Sequence, residues 1–110
     1  PLSGYTGDES TVVIIRNDSP EAMRIVLSGT DPQFQDLAPC EDCQSFVESS
    51  PTGCPEKGPE ARFVLTPGNY NVLVRSIGDR AVTPFTGTWQ LGQGSEYYSC
   101  FYIVQSPIGG

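Results

Sequence analysis

Four cysteines are the residues of this 110-residue chain whose type and spacing are most able to do chemistry. Cys40 and Cys43 form a Cys-x-x-Cys pair, and Cys54 and Cys100 stand apart from it and from each other. An even number of cysteines in a short chain predicts a disulfide framework, because a small core benefits from cross-links. Four cysteines allow three pairings, of which we expect Cys43 with Cys54 and Cys40 with Cys100.

Two other uses of the four thiols stay open at this stage. A zinc site would employ all four as ligands, although a typical four-thiolate site carries two Cys-x-x-Cys pairs and this chain has one. A thioredoxin-like redox pair fits less well, because Glu41 and Asp42 lie between the two cysteines and oppose a further negative charge on sulfur. The favoured disulfide interpretation implies an oxidising compartment, either extracellular or at the cell surface.

Candidates for catalysis are poor. The chain has no histidine, which removes imidazole as a general base, a triad member or a metal ligand. Its carboxylates at 8–9, 41–42, 56 and 60 fall in polar segments, where a solvated carboxylate is a weak base at neutral pH. We therefore expect no catalytic residues, no cofactor and no enzymatic activity.

Acidic side chains also raise the question of calcium, because hard oxygen ligands are plentiful in the middle of the chain. No Asp-x-Asp-x-Asp-Gly loop is present, so we expect a solvated acidic surface and no metal site. The side chains in question are Asp31, Asp36, Glu41, Asp42 and Glu48.

The net charge limits the partners. Thirteen acidic and six basic residues give −7 at neutral pH, and this charge repels nucleic-acid phosphates and anionic membranes. The longest apolar run, at 12–15, is far shorter than the roughly 20 residues that span a bilayer, which argues against membrane insertion. The expected partner is therefore a protein, another copy of the chain or a polysaccharide.

Turn residues and the hydrophobic period predict the architecture. Twelve glycines and ten prolines indicate many turns between short elements, and no segment shows a helical period. Turns at intervals of about ten residues are typical of an all-β sandwich. We place an N-terminal arm at 1–9, one sandwich domain at 10–105 and a C-terminal tail at 106–110.

In the first half of the domain, 10–17 is a β-branched strand with apolar residues on both faces, which predicts a central position. The segment 21–29 alternates apolar and polar residues, and we expect it to form an antiparallel hairpin with 10–17. Phe34 and Leu37 indicate a short third strand. Residues 39–60 form a long loop, which needs disulfides or a function to hold it.

The second half contains strands of the same alternating kind. Residues 61–66 and 70–76 predict a hairpin across the Pro67-Gly68 turn. The segment 85–91 is a further strand with Gly87 as a bulge or a close backbone approach, and 97–104 is the longest strand.

One segment resembles known families. Residues 63–78 read Phe-Val-Leu-Thr-Pro-Gly-Asn-Tyr-Asn-Val-Leu-Val-Arg-Ser-Ile-Gly, which resembles a hairpin common in prealbumin-like and PEGA-type sandwich modules. The resemblance covers 16 of the 110 residues and implies a Greek-key sandwich with a non-catalytic accessory or surface role. The expected fold class is thus an Ig-like or prealbumin-like antiparallel β-sandwich of about seven strands, with a long cysteine-stapled loop.

Aromatic side chains and one sequon are the candidate binding and modification sites. Trp89, Tyr97, Tyr98 and Tyr102 cluster on the last predicted strands, and rings on one exposed face would form a platform for a sugar ring or a protein. For Trp89 we favour a core position beside a disulfide over an exposed one, and the adjacent Tyr97 and Tyr98 point to opposite faces, so at most one of them joins the core. Asn17 begins an Asn-Asp-Ser triplet that fits a glycosylation sequon.

These observations favour a non-catalytic extracellular module for binding or structural display, stabilised by disulfides. One alternative is a self-assembling surface or filament subunit that lays its N-terminal arm or an edge strand on a neighbouring copy. The other is a carbohydrate-binding module that uses exposed tryptophan and tyrosine rings.

Overall fold

The computed structural model describes residues 2–7, 10–43, 46–47, 54–77 and 84–105. Within these ranges ten strands are present, and no helix is long and apolar enough to span a membrane. The all-β architecture expected from the turn spacing is therefore confirmed for the described part of the chain. The strands are β1 (Leu2–Tyr5), β2 (Thr11–Asn17), β3 (Met23–Gly29), β4 (Gln33–Leu37), β5 (Phe46–Val47), β6 (Glu60–Leu65), β7 (Gly68–Ser76), β8 (Phe85–Leu91), β9 (Ser95–Phe101) and β10 (Val104–Gln105).

Eight of the strands form two four-stranded sheets. Sheet A has the order β1-β9-β2-β6, in which β2 and β9 are parallel and the other neighbours are antiparallel. Sheet B has the order β4-β3-β7-β8 and is antiparallel throughout. The two-residue strands β5 and β10 pair in parallel as a separate ladder.

One hydrophobic core lies between the two sheets, so the domain is a β-sandwich. Alternate residues of β3, β6 and β7 are buried, as the period of their sequences predicts. Burying one side chain of the size of valine, leucine or phenylalanine contributes about 1.5–3 kcal/mol to the stability of the fold. The core consists of Val13, Ile15, Met23, Ile25, Leu27, Leu37, Ala61, Phe63, Leu65, Tyr70, Val72, Val74 and Leu91.

The central position predicted for the first β-branched strand is confirmed. β2 lies between β9 and β6, with Val13 and Ile15 in the core and Val12 on the opposite face, where it is also fully buried. A strand with neighbours on both sides and cover on both faces needs apolar residues at consecutive positions, which explains the run at 12–15.

Both predicted hairpins are wrong. β2 belongs to sheet A and β3 to sheet B, and in the same way β6 belongs to sheet A and β7 to sheet B. Each turn therefore crosses from one sheet to the other, and at the second crossing the Tyr70 hydroxyl donates a hydrogen bond of 2.6 Å to the Thr66 carbonyl. Alternation shows only that two strands face one core, and strands on opposite sides of that core alternate in the same way.

Smaller differences concern the strand ends and Gly87. The last long strand is Ser95–Phe101, and the longest strand in the described ranges is β7 with nine residues. Gly87 pairs regularly with Val72 without a bulge, and a Cβ placed there would lie 3.1 Å from the Phe85 ring of the same strand. The close neighbour is therefore a side chain, and neither the bulge nor the close backbone approach is found. The predicted arm contains strand β1, and the predicted tail at 106–110 lies outside the described residues.

Candidate functional site

All four cysteines are oxidised, which confirms the disulfide framework and gives a correction to its pairing. The disulfides join Cys40 with Cys43 and Cys54 with Cys100. The Cys-x-x-Cys segment forms a tight turn in which the Cys43 amide donates a hydrogen bond of 3.2 Å to the Cys40 carbonyl. This turn brings the two sulfur atoms of Cys40 and Cys43 together, so that they bond to each other. Two disulfides indicate an oxidising environment.

The buried side chain of Asp18 anchors the loop that follows Cys54. Its side chain is fully buried, and its carboxylate accepts backbone hydrogen bonds from Glu56, Lys57 and Gly58 at 3.1, 2.9 and 2.9 Å. Three successive amides converge on one carboxylate because Glu56 adopts a positive φ of 59°, a backbone form that creates an anion-binding concavity. The carboxylate is thus used to fix a loop.

Asn17 is also an interior residue. Its amide nitrogen donates to the carbonyls of Glu21 and Ala38 at 2.8 and 2.9 Å, and its amide oxygen accepts from the Ser19 backbone and hydroxyl. The side chain is fully buried, so the folded domain has no room for a glycan on this nitrogen. The triplet that fits a sequon lies in the turn between β2 and β3, where the chain passes from sheet A to sheet B, and its hydrogen bonds stabilise that turn.

The described residues bring together one group of three potential metal ligands, namely Asp18, Cys40 and Cys43. The two sulfurs are bonded to each other, and the carboxylate is engaged by three amides. All three residues of this cluster therefore have a structural role, the cysteines in a disulfide and Asp18 in holding a loop. Of the acidic residues considered for calcium, Asp36 pairs with Arg24 at 2.7 Å, and Glu48 lies outside the described residues.

A partly buried charged group lies on the outer face of sheet A. Arg16 contacts the Glu60 carboxylate at 2.9 Å. Burial is the largest single influence and opposes the Arg16 charge, but the hydrogen bond to Glu60 and the negative groups nearby together outweigh it and raise the Arg16 pKa. On the neighbouring strand, the Tyr98 hydroxyl is buried and has no hydrogen-bond partner among the described residues. Burial raises the pKa of Tyr98. An unpartnered buried hydroxyl costs stability, so its removal is expected to stabilise the fold.

The four predicted platform residues do not share one surface. Trp89 and Tyr97 face inward from different sheets and pack against the core, and the Tyr97 hydroxyl accepts a hydrogen bond from the Gly92 amide at 2.8 Å. Tyr98 points to the outer face of sheet A, and Tyr102 follows the end of β9. The carbohydrate hypothesis stays a prediction, without a flat array of these rings to support it.

A cavity of about 80 Å³ opens between the sheets near the end of β7. Met23, Val74, Phe85 and Phe101 line it, and the two phenylalanine rings lie 5.1 Å apart. The buried Ser76 hydroxyl, which also lines it, has no partner among the described residues. A space of this size holds a few water molecules and is too small for a ligand that buries a large surface.

The outer face of sheet B carries side chains that sequence reasoning did not assign to any site. Val26 pairs with Phe34 on one side and with Leu73 on the other, which gives an apolar row across three strands. Phe34 is 68% exposed, and its ring lies 5.9 Å from the Arg24 guanidinium. Arg75 lies beside Arg24 in the adjacent row. We call Arg24, Val26, Phe34, Leu73 and Arg75 the docking face.

The docking face left a signal in the sequence. Val26 lies between Arg24 and Ser28, on the face of its strand that was expected to be polar. A single apolar residue on the solvent side of a strand is common, whereas a contiguous apolar patch is a sign of a binding surface. The sign gains weight only when the neighbouring strands are known, because Phe34 and Leu73 become its neighbours through pairing.

Comparisons of the chain with protein families, curated proteins and solved structures find no match.

Proposed function

We propose that the protein is a non-catalytic module for binding or structural display, located outside the cell or on its surface. The observation that carries this proposal is the docking face, whose apolar row is bordered by arginine on one side and by polar side chains on the other. An apolar centre with a polar border is the usual composition of a protein interface. The polar border consists of Ser28, Asn71 and Thr88.

The charge on the docking face suggests the chemistry of the partner. Arg24 is paired with Asp36, whereas Arg75 is exposed, so the face carries a net positive charge on a chain whose total is −7. We propose a protein partner that presents apolar side chains with a carboxylate beside them. Arginine is favoured in such contacts because its planar group binds carboxylates in a fixed geometry.

The finer class of fold and location belong to the same proposal. The Pro67-Gly68 turn with Tyr70 is the part of the chain that resembles prealbumin-like and PEGA-type modules, and two four-stranded sheets around one core support a prealbumin-like sandwich. The disulfides support secretion, because such bonds persist mainly in oxidising compartments.

The test uses a photo-reactive phenylalanine analogue at Phe34 in cells that produce the protein. We expect a cross-linked adduct that Arg75→Glu abolishes, because the reversed charge repels the partner carboxylate. Arg62→Glu is the matched control, since Arg62 is an exposed arginine on the other sheet. Equal yields from Phe34 and from the exposed Val64 of sheet A would contradict the proposal, as would an adduct insensitive to Arg75→Glu.

A self-assembling subunit is the second candidate, and β1 is the observation that favours it. β1 pairs with β9 at the edge of sheet A while Leu2 and Tyr5 remain 54% and 77% exposed. A strand held mainly by backbone pairing is one that a neighbouring copy could supply. The same photo-reactive group at Tyr5 tests this, and an adduct of twice the chain mass is the expected result. The absence of that adduct in concentrated protein rejects the arm as the contact.

A further inference from the structure

We infer that β8 pairs antiparallel with β8 of a second copy about a two-fold axis at Thr88, which joins the two B sheets into one. The inference goes beyond the proposed function, because it names a contact between copies that rests neither on the docking face nor on the arm strand β1. β8 ends sheet B, and among the described residues only β7 pairs with it.

β8 lacks the devices that usually protect an exposed strand edge. Its seven residues, Phe-Thr-Gly-Thr-Trp-Gln-Leu, include no charge and no proline, and its register with β7 is regular throughout. Natural edge strands are commonly kept apart by charges, prolines, bulges or short length. An uncharged, regular seven-residue edge is therefore a surface suited to strand addition.

The other three edges of the two four-stranded sheets are protected. β1 has four residues and an irregular register between Leu2 and Gly4. β4 carries the charged Asp36. β6 carries charged residues, and its Val64 carbonyl accepts a hydrogen bond of 3.0 Å from the Gln33 side chain of β4. The contrast singles out β8.

The sequence of β8 fits a copy of itself. With Thr88 opposite Thr88, Phe85 lies opposite Leu91, Thr86 opposite Gln90, and Gly87 opposite Trp89. Apolar residues meet on the inner face and hydroxyl or amide side chains on the outer face, as favourable cross-strand pairs do. An aromatic ring opposite a strand glycine also covers the backbone that the glycine leaves open. This complementarity argues for a second copy over a foreign strand.

The charge of the chain sets the salt dependence of this contact. Each copy carries −7, so the two copies repel each other at long range, while the paired strands add no charge at the contact. Screening by salt reduces that repulsion. We expect dimerisation to strengthen as salt rises, whereas a contact between oppositely charged surfaces would weaken.

Sedimentation of the full oxidised chain from about 10 to 500 µM tests the association, because mass action makes a weak dimer depend on concentration. We expect a monomer–dimer equilibrium that Thr88→Lys weakens at least about tenfold, since two like charges would face each other at the axis. A chain that stays monomeric throughout this range overturns the inference.

Gln90→Lys and Gln35→Lys form a matched pair on the two edges of sheet B. Both glutamines are exposed, on β8 and on β4 respectively. We expect Gln90→Lys to weaken the dimer and Gln35→Lys to leave it unchanged. Equal effects of the two variants would place the contact elsewhere and overturn the inference.

Cross-linking tests the register, and it remains informative if a lysine variant misfolds. Directly opposed residues of antiparallel strands have Cα atoms about 4.5–5.5 Å apart, within the reach of a disulfide. Mild oxidation of Thr88→Cys should therefore give a covalent dimer. Thr86→Cys should not, because the two copies of residue 86 would be offset by roughly 13 Å along the strand. Equal yields from the two variants overturn the two-fold axis.

Discussion

The Asp18 carboxylate accepts a hydrogen bond of 2.9 Å from the Gly58 amide, although 40 residues separate them. The same oxygen accepts from the Lys57 amide, and the second oxygen accepts from Glu56. A buried carboxylate held by backbone donors forms charge-assisted hydrogen bonds, which are stronger than those between neutral groups. The loop before β6 is therefore anchored by the turn that leaves β2.

Replacing this carboxylate by an amide is the first prediction. Asp18→Asn keeps the size of the side chain but removes its charge and turns its amide hydrogens toward backbone donors. We expect a loss of about 2–4 kcal/mol in the free energy of unfolding, measured by urea denaturation. Asp36→Asn is the control, because Asp36 is exposed and its ion pair with Arg24 lies on the surface. A control variant as unstable as Asp18→Asn would contradict the anchoring role.

A second prediction concerns the other partner of this contact. A Cβ on Gly58 would overlap the Asn17 carbonyl, whose backbone cannot move without disturbing the turn around Asp18. We expect Gly58→Ala to lower the free energy of unfolding by about 2–3 kcal/mol or more. A Cβ on Gly4 meets no atom within 4 Å, so Gly4→Ala should change stability by less than about 0.5 kcal/mol. Similar unfolding midpoints for the two variants would reject the close approach at Gly58.

The alternation of apolar and polar residues predicted the buried side chains but not the sheet to which each strand belongs. The alternation of Met23, Ile25 and Leu27 predicted correctly which side chains enter the core, because burial on one face of a strand leaves a period of two. The same alternation could not say which sheet a strand joins. Two predicted hairpins were therefore wrong, although their strands lie close to the predicted positions.

The docking face was even harder to predict from the sequence than the strand order, because it depends on pairing between residues that are distant in the chain. Phe34 and Leu73 become neighbours of Val26 only because β4 and β7 flank β3. The interior position of Asn17 is fixed by its hydrogen bonds to the carbonyls of Glu21 and Ala38. The same Asn-Asp-Ser triplet could also lie on an exposed loop, so the sequence alone could not show that Asn17 is buried. The disulfide pairing is a further case, since four cysteines allow three pairings and spacing did not choose among them.

A third prediction separates the two disulfides by the length of chain that each one closes. Cys54–Cys100 joins residues 46 positions apart, and Cys40–Cys43 joins residues three apart. By the loop-entropy account, replacing both cysteines of the first pair by alanine should cost about 4 kcal/mol, and replacing those of the second about 2 kcal/mol. Thermal unfolding of the two double variants measures the difference. A larger loss from the Cys40–Cys43 pair would show that local contacts outweigh the entropy of the open loop.

A fourth prediction compares two tyrosines at neutral pH. The Tyr70 hydroxyl donates 2.6 Å to the Thr66 carbonyl, whereas the buried Tyr98 hydroxyl has no partner among the described residues. Tyr70→Phe should lower the free energy of unfolding by about 1 kcal/mol, because it removes a hydrogen bond. Tyr98→Phe should raise it by up to about 1 kcal/mol, because it removes an unsatisfied polar group. The same atom is deleted in both variants, so a common sign would contradict the assignment of their environments.

The fifth prediction extends Tyr98 to alkaline pH. Burial raises the pKa of Tyr98 in the folded state above the value of about 10 that it has in the unfolded chain. The folded protein then holds its proton more tightly, so this contribution to stability is complete below about pH 10 and is lost as pH rises through the folded-state pKa. The free energy of unfolding should fall less steeply above pH 10 in Tyr98→Phe than in the unaltered protein. Tyr70, whose pKa burial also raises, keeps part of the slope in that variant. Parallel curves for the two proteins between about pH 8 and 12 would show that Tyr98 ionises as freely in the folded domain as in the unfolded chain.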